Sequence, residues 1–274
     1  MTTATQLTTT LNNGVVMPLL GLGVYDSHKK EAEQAVTWAL ETGYRLIDTA
    51  FIYHNEAETG NAIRQSGIPR KDIFLTSKVW NTDQGYDNTL RAFEASLKKL
   101  GCEYLDLYLI HWPVRTQGRE TWRALEKLHA EQQIRAIGVS NYTEPFLREM
   151  LEYAQIVPAV NQVEFSPYLY LKNLLEECQA KNIRLQAYSP LVRGQRMDDP
   201  KLVRLAQKYA KTPAQIIIRW ALEHGVSTIP KSANYERIKE NFDVFDFQLS
   251  PGDLLLMDGF NENLRVVDDP MIHW

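Results

Sequence analysis

The chain has 274 residues, 44% of them hydrophobic and 23% charged, with a formal net charge of −4. This is the balance of a folded globular protein, and it offers no basic field for a nucleic-acid partner, so small molecules are the expected ligands. Its longest apolar runs, such as "LDLYLIHWPV", are too short and too interrupted by polar groups to cross a bilayer.

The opening "MTTATQLTTT" has neither a basic n-region nor an apolar h-region, so a cytoplasmic protein is expected. Residues 7–20 alternate in polarity around Asn12-Asn13-Gly14, which predicts a β-hairpin outside the main pattern, placed as a plug. From residue 21 the chain settles into a regular beat of β-rich runs and amphipathic segments. The strand candidates are "GLGVY", "RLIDTA", "IFLTSKVW", "LDLYLIHWP", "IRAIGVSN", "AVNQVEF", "RLQAYSP" and "STIPKS". Their near-continuous apolar character is that of parallel strands covered on both faces.

Segments with helical spacing lie between and after them, from "KKEAEQAVTWALETG" to "YERIKENFDVF". An additional helix is expected over "KTPAQIIIRWALEHG", with Thr212 as N-cap and Pro213 in the first turn. Eight such units can form an open doubly wound sheet or close on themselves. Closure leaves no exposed edge, so the expected fold is a single (β/α)8 TIM barrel spanning residues 1–274 as one domain. The tail, residues 250–274, reads as irregular. Cys102 and Cys178 stand apart from each other and from any Cys-x-x-Cys or histidine pairing, so both are read as reduced structural thiols and no metal site is expected.

In a barrel of this kind the polar residues at the C-terminal strand ends line the active-site mouth. Those ends carry Asp48, Lys78, His111, Ser140 with Asn141, Asn161 with Gln162 and Glu164, Tyr188 with Ser189, and Lys231 with Ser232. One buried lysine or histidine is ordinarily a satisfied structural residue. An acid, an amine and an imidazole from three neighbouring strands, joined by the phenol of Tyr53 five residues after Asp48, form a set able to move a proton on and off an oxygen. An ammonium at Lys78, kept charged by Asp48, is expected to lower the Tyr53 pKa and make the phenol a usable general acid.

The stretches "GYRLIDTAFIYHNE", "LTSKVW", "DLYLIHWP", "IRAIGVSN", "AVNQVEFSP" and "KTPAQIIIRW", in that order and spacing, resemble the aldo-keto reductase superfamily. The likeness is to its bacterial and protozoan branch, which includes 2,5-diketo-gluconate, glyoxal and prostaglandin F reductases. The resemblance implies a catalytic tetrad of Tyr53, Asp48, Lys78 and His111, with Tyr53 giving a proton as a hydride reaches the carbonyl carbon. It implies NADPH as cofactor: Ser140, Asn141 and Gln162 on the carboxamide, Tyr188 stacked on the nicotinamide, Ser189, Leu191 and Gly194 along the pyrophosphate, and Lys231, Ser232 and Arg237 near a 2′-phosphate, with Glu240 and Asn241 at the adenine. Tyr25, Ile52, Trp80 and Trp112 are expected to wall the substrate pocket, and the partner is a small-molecule carbonyl met by a monomer.

The dinucleotide fingerprint of a Rossmann fold is absent, since Gly21 and Gly23 are followed by Asp26 rather than a third glycine. Tyr168 with Lys172 and Tyr235 with Lys239 match a short-chain dehydrogenase spacing without its glycine loop, and are read as chance. Two positions depart from the family pattern. Ser166 stands where a histidine is common, and the tail lacks the usual Gly-Pro-Asp-Pro, so Met271, Ile272, His273 and Trp274 are expected to shape the pocket differently. The alternatives weighed are a cofactor-sensing binding module of the same fold and, last, a phosphate-sugar isomerase, which has no use for Tyr53.

Overall fold

Parallel strands buried on both faces need apolar side chains in both directions, and the eight runs predicted from the sequence supply them. The computed structural model describes residues 7–273; residues 1–6 of the opening segment and Trp274 of the tail lie outside the described residues, as does the side chain of His273. A hairpin of β1 (Thr8–Thr10) and β2 (Val16–Pro18) precedes β3 (Leu22–Gly23), β4 (Leu46–Asp48), β5 (Phe74–Val79), β6 (Leu105–Ile110), β7 (Ile134–Ser140), β8 (Val160–Glu164), β9 (Arg184–Tyr188) and β10 (Ser227–Thr228). The last eight form one parallel ladder in sequence order.

The ends of the ladder meet. Leu20 bridges Thr228 and Gly23 bridges Lys231, with Gly21 N–H donating to Thr228 O at 2.9 Å and Thr228 N–H to Leu19 O at 2.8 Å. A Cβ on Gly23 would stand 2.9 Å from the Ile229 carbonyl oxygen, so only glycine admits this approach of first strand to last. Both strands are shorter here than their apolar runs, because Pro230 has no N–H to continue the ladder.

Helices cover the outside: α1 (Lys30–Thr42), α2 (Glu56–Gln65), α3 (Tyr86–Leu100), α4 (Gly118–Ala130), α5 (Glu144–Leu151), α6 (Lys172–Ala180), α7 (Pro200–Tyr209), α8 (Pro213–Glu223) and α9 (Tyr235–Phe242). Thr212 and Gln215 close a capping box at the start of α8, as predicted for the Thr-Pro sequence. Among the described residues, no helix is long and apolar enough to cross a membrane.

Two apolar layers result. Outward strand residues such as Ile47, Leu75, Tyr108, Ile110 and Ile137 pack against the helices. Inward ones, Leu46, Phe74, Leu107, Leu109, Ala136 and Val160, meet Leu11 and Met17 of the hairpin. Asn12 Nδ2 donates to Pro158 O at 3.0 Å and Asn13 Nδ2 to Arg135 O at 2.8 Å, which holds the hairpin across the N-terminal strand ends. The plug thus closes the bottom and leaves the C-terminal end open.

The tail is more ordered than its sequence implied. It contains α10 (Pro251–Asp258) and α11 (Pro270–His273). Four consecutive apolar residues, Leu254 to Met257, give α10 no apolar stripe, and Leu255 and Leu256 remain exposed. Met257 is buried in the main core with Leu254 packed beside it, and polar contacts add to this: Asp253 accepts from Lys208 at 2.6 Å and Tyr209 at 2.5 Å, and Asp258 from Trp220 at 2.8 Å.

Met17 is fully buried at the plug. Met17→Ala is expected to cost about 2–5 kcal/mol of stability through loss of burial and the cavity left behind, measured by urea unfolding. A change below about 0.5 kcal/mol would show that the hairpin does not belong to the cooperative core.

Candidate active site

Asp48 is the last residue of β4 and points inward. Lys78, two residues beyond the Thr76 that pairs with Asp48 in the ladder, points to the same interior. Its Nζ donates to Asp48 Oδ1 at 2.5 Å and to Thr49 O at 2.9 Å, and neither residue is more than 2% exposed. The second carboxylate oxygen accepts from Gln162 Nε2 at 2.7 Å, and the same Gln162 amide reaches Gln186 Oε1 at 2.7 Å. A buried ion pair is tolerable only when its remaining valences are satisfied in this way.

The chain then makes a short excursion between Asp48 and Tyr53. A 3-10 turn over Phe51–Tyr53 ends at His54 in the left-handed region, φ 54°. Asn55, fully buried, accepts from Thr49 Oγ1 at 2.6 Å and donates to Val24 O at 2.8 Å and Ser27 O at 2.9 Å. The loop is thereby closed on itself, and the Tyr53 ring returns over the ion pair, its centroid 5.1 Å from Lys78 Nζ. Its hydroxyl lies 3.5 Å from Nε2 of His111, the residue just beyond β6. Buried His111 Nδ1 finds no hydrogen-bond partner among the described residues.

The electrostatics differ from the sequence expectation. Burial, and then the Asp48 charge, hold the Tyr53 phenol well above its usual pKa. Lys78 does not lower it, because the Asp48 carboxylate at 2.5 Å offsets the ammonium and leaves burial to dominate. The raised pKa keeps Tyr53 a protonated phenol. Burial and the Lys78 charge push His111 well below the usual imidazole pKa, so it is a neutral ring.

These groups open into a cavity of about 480 Å³ at the C-terminal strand ends. Asp48, Tyr53 and His111 line it with Lys78 behind them, together with all four predicted pocket residues, Tyr25, Ile52, Trp80 and Trp112. Ser140, Asn141, Gln162, Tyr188, Ser189 and Lys231 also line it. Asn141 holds φ 66° while its amide donates to His111 O at 2.9 Å and its oxygen accepts from Tyr188 Oη at 2.7 Å. Leu191 and Gly194 sit in the adjoining turn, where Gly194 has φ 81°.

The remaining predicted residues stand away from the cavity wall. Ser232 caps the turn before α9 by accepting from Asn234 N–H at 3.1 Å. Arg237 is exposed on α9 and its guanidinium makes no ion pair among the described residues. Glu240 accepts from Thr212 Oγ1 at 2.9 Å and Asn241 is buried at 3% exposure, both facing α8 packing.

Sequence reasoning missed Asp26, His28, His54, Arg193, Val267 and Asp268, which share the cavity lining. The first four lie next to predicted residues and were legible by adjacency. Val267 and Asp268 carried no signal. They take the place expected for Met271 and Ile272: the Met271 sulfur instead accepts from Thr143 Oγ1 at 3.1 Å, and Ile272 is 73% exposed. Ser166 closes its own turn, accepting from the N–H groups of Tyr168 at 3.2 Å and Leu169 at 3.1 Å. A second hollow, about 580 Å³, lies at the plugged end between Thr8, Arg45, Phe74 and Arg135. Its buried acid, Asp106, is already bound by Arg70 at 2.7 Å and Arg135 at 2.8 Å.

An acid, an amine, a phenol and an imidazole thus converge at the open end of a closed barrel. Residues 19–262 match the aldo/keto reductase family, and the chain belongs to it. It is 51% identical to the glyoxal reductase of Bacillus subtilis (strain 168), with 98% of each chain covered. It is 49% identical to the 9,11-endoperoxide prostaglandin H2 reductase of Trypanosoma cruzi (strain CL Brener), covering 95% of this chain and 94% of that one. Among solved structures, the Bombyx mori aldo-keto reductase in complex with NADP superposes with a TM-score of 0.91 at 37% identity, covering 96% of this chain and 95% of that one.

Lys78→Met is expected to destabilise the protein by about 3–5 kcal/mol, because Asp48 is left buried without its counter-charge. Adding Asp48→Asn should recover part of that loss in denaturant unfolding. Strictly additive costs would mean that the two side chains do not act as a pair.

Proposed function

We propose that the protein is an NADPH-dependent reductase of aldehydes and ketones, with Tyr53 as general acid. The observation that carries this reading is the Tyr53 hydroxyl at the cavity, 3.5 Å from His111 Nε2, with a buried Lys78–Asp48 pair beneath its ring. A hydride for the carbonyl carbon is the chemistry the reduced nicotinamide supplies when bound. The residues fit such a cofactor: the Tyr188 ring lines the cavity, the amides of Asn141 and Gln162 stand at its floor, and the unpaired guanidinium of Arg237 stands beyond Lys231. In this reading Ser140, Asn141 and Gln162 hold the carboxamide, Ser189, Leu191 and Gly194 border the pyrophosphate, and Lys231, Ser232 and Arg237 meet a 2′-phosphate, a fit for two cations and a hydroxyl.

The carbonyl oxygen sits between Tyr53 Oη and His111 Nε2. As negative charge grows on that oxygen, Tyr53 gives up its proton and an alcohol forms. The phenolate left behind lies beside His111, whose Nε2 is 3.5 Å from its oxygen, and above the Lys78–Asp48 pair that fixes the ring's place. Tyr25, Trp80 and Trp112 give the substrate end an aromatic wall suited to small carbonyls such as methylglyoxal, keto-sugars and aromatic aldehydes. A module that only senses the cofactor has no use for the ion pair, whose burial costs stability.

Tyr53→Phe is expected to keep NADPH binding, read as quenching of intrinsic fluorescence, while turnover of a reactive aldehyde falls by about 10²–10⁴-fold. Wild-type rates in this variant would remove Tyr53 as the proton donor. Arg237→Ala should weaken NADPH far more than NADH in the same titration, and equal losses would remove the 2′-phosphate assignment.

A further inference from the structure

Glu164, the last residue of β8, is an acid at the rim that the catalytic chemistry leaves unused. Its side chain is only 2% exposed. Oε1 accepts from Val266 N–H at 2.6 Å and Oε2 from Val267 N–H at 3.3 Å, while Arg265 Nη1 approaches Oε2 at 4.0 Å. Among the described residues, both hydrogen-bond donors to this carboxylate therefore come from consecutive residues of the C-terminal tail, Val266 and Val267, with the Arg265 charge beside them. Both oxygens are taken, so Glu164 is not available to shuttle a proton in the cavity.

The tail approaches this point along the β8–α6 loop. Tyr168 O accepts from Glu262 N–H at 3.2 Å and Leu264 N–H at 3.0 Å. Arg196 pairs with Glu262 at 2.8 Å. Beyond the latch, the next polar contact with the barrel is that of Met271 with Thr143. Between these moorings, Glu164 is the polar tether of residues 265–269, since Arg265 otherwise pairs within the tail, with Asp269 at 3.5 Å. Val267, itself tethered, and Asp268, next along the chain, line the cavity together with Tyr25 and Trp80.

We propose that Glu164 is a positioning residue that latches the C-terminal tail through the Val266 and Val267 amides, and so sets the Val267–Asp268 wall that determines which substrates the cavity accepts. A carboxylate is suited to this task because it accepts two backbone N–H groups at once, where an amide of the same shape turns one acceptor into a donor and repels one of them. The substrate part of the inference rests on the proposed reductase activity. The latch itself does not.

Glu164→Gln and Glu164→Ala, in the full chain, test it by hydrogen exchange and steady-state kinetics. The Val266 and Val267 amides should exchange about tenfold faster in Glu164→Ala, with Glu164→Gln between it and wild type. With NADPH, KM for a bulky aromatic aldehyde should change about three- to tenfold while kcat with methylglyoxal holds, a split that general destabilisation does not produce. In a Val267→Ala/Asp268→Ala background the Glu164→Gln effect on KM should vanish, because the wall it positions is gone. Unchanged exchange in either variant would overturn the latch, and a KM effect that persists without the wall would overturn its role in specificity. Absence of turnover in the wild type would sink the reductase reading and leave the exchange result to decide the latch.

Discussion

The Lys78–Asp48 ion pair, sealed inside the barrel at 2.5 Å, constrains everything around it. Two charges withdrawn from water cost several kcal/mol each unless every remaining lone pair and proton is met. The barrel meets them with Thr49 O and Gln162, and a polar chain runs on through Gln186 to Ser227 Oγ at 3.1 Å. The interior is accordingly divided. Its lower half is filled by Leu46, Phe74, Leu107 and Leu109 and stoppered by the hairpin, while its upper half is a hydrogen-bonded polar floor. That division gives the molecule one plugged end and one reactive end.

The same constraint explains where backbone strain is placed. His54, Asn141 and Ser189 occupy the left-handed region, Asn141 and Ser189 just past strand ends and His54 at the close of the 3-10 turn, all at the cavity. Such conformations cost of order 1–3 kcal/mol each in non-glycine residues and persist only where surroundings enforce them. Around Tyr53 the enforcement comes from Asn55, whose three hydrogen bonds tie the Tyr53 loop to the segment that carries Tyr25. Around Asn141 it comes from His111 O and the Tyr188 hydroxyl. The Tyr53 loop and the His111–Tyr188 side of the cavity are thus each held by a buried amide, Asn55 and Asn141.

Much of this was legible in the sequence. Strand and helix periods follow from local burial, so the order of the eight strands, the hairpin at Asn12-Asn13-Gly14 and the cap at Thr212 could be read residue by residue. Strand ends then place Asp48, Lys78, His111, Asn141 and Tyr188 on one rim, because a parallel barrel exposes all its C-terminal ends together. The positions of Glu240 and Asn241 were harder, since a helix turn that could face a ligand can equally pack on a neighbour.

By itself, then, the sequence determined the barrel, the plug and the meeting of Asp48, Tyr53, Lys78 and His111 at one end, because these depend on local pattern and on a topology with few solutions. Tertiary structure alone decided the direction of the Tyr53 pKa, since that depends on how completely the nearby cation is offset and how deeply the phenol is buried. It alone decided the course of the tail, whose consecutive leucines have no period and whose docking rests on the burial of Met257 and Phe260 and on single distant contacts at Asp253, Asp258 and Glu164. Pairings between residues so far apart in the chain leave no repeating pattern to read, and only the closed fold brings them within hydrogen-bond distance.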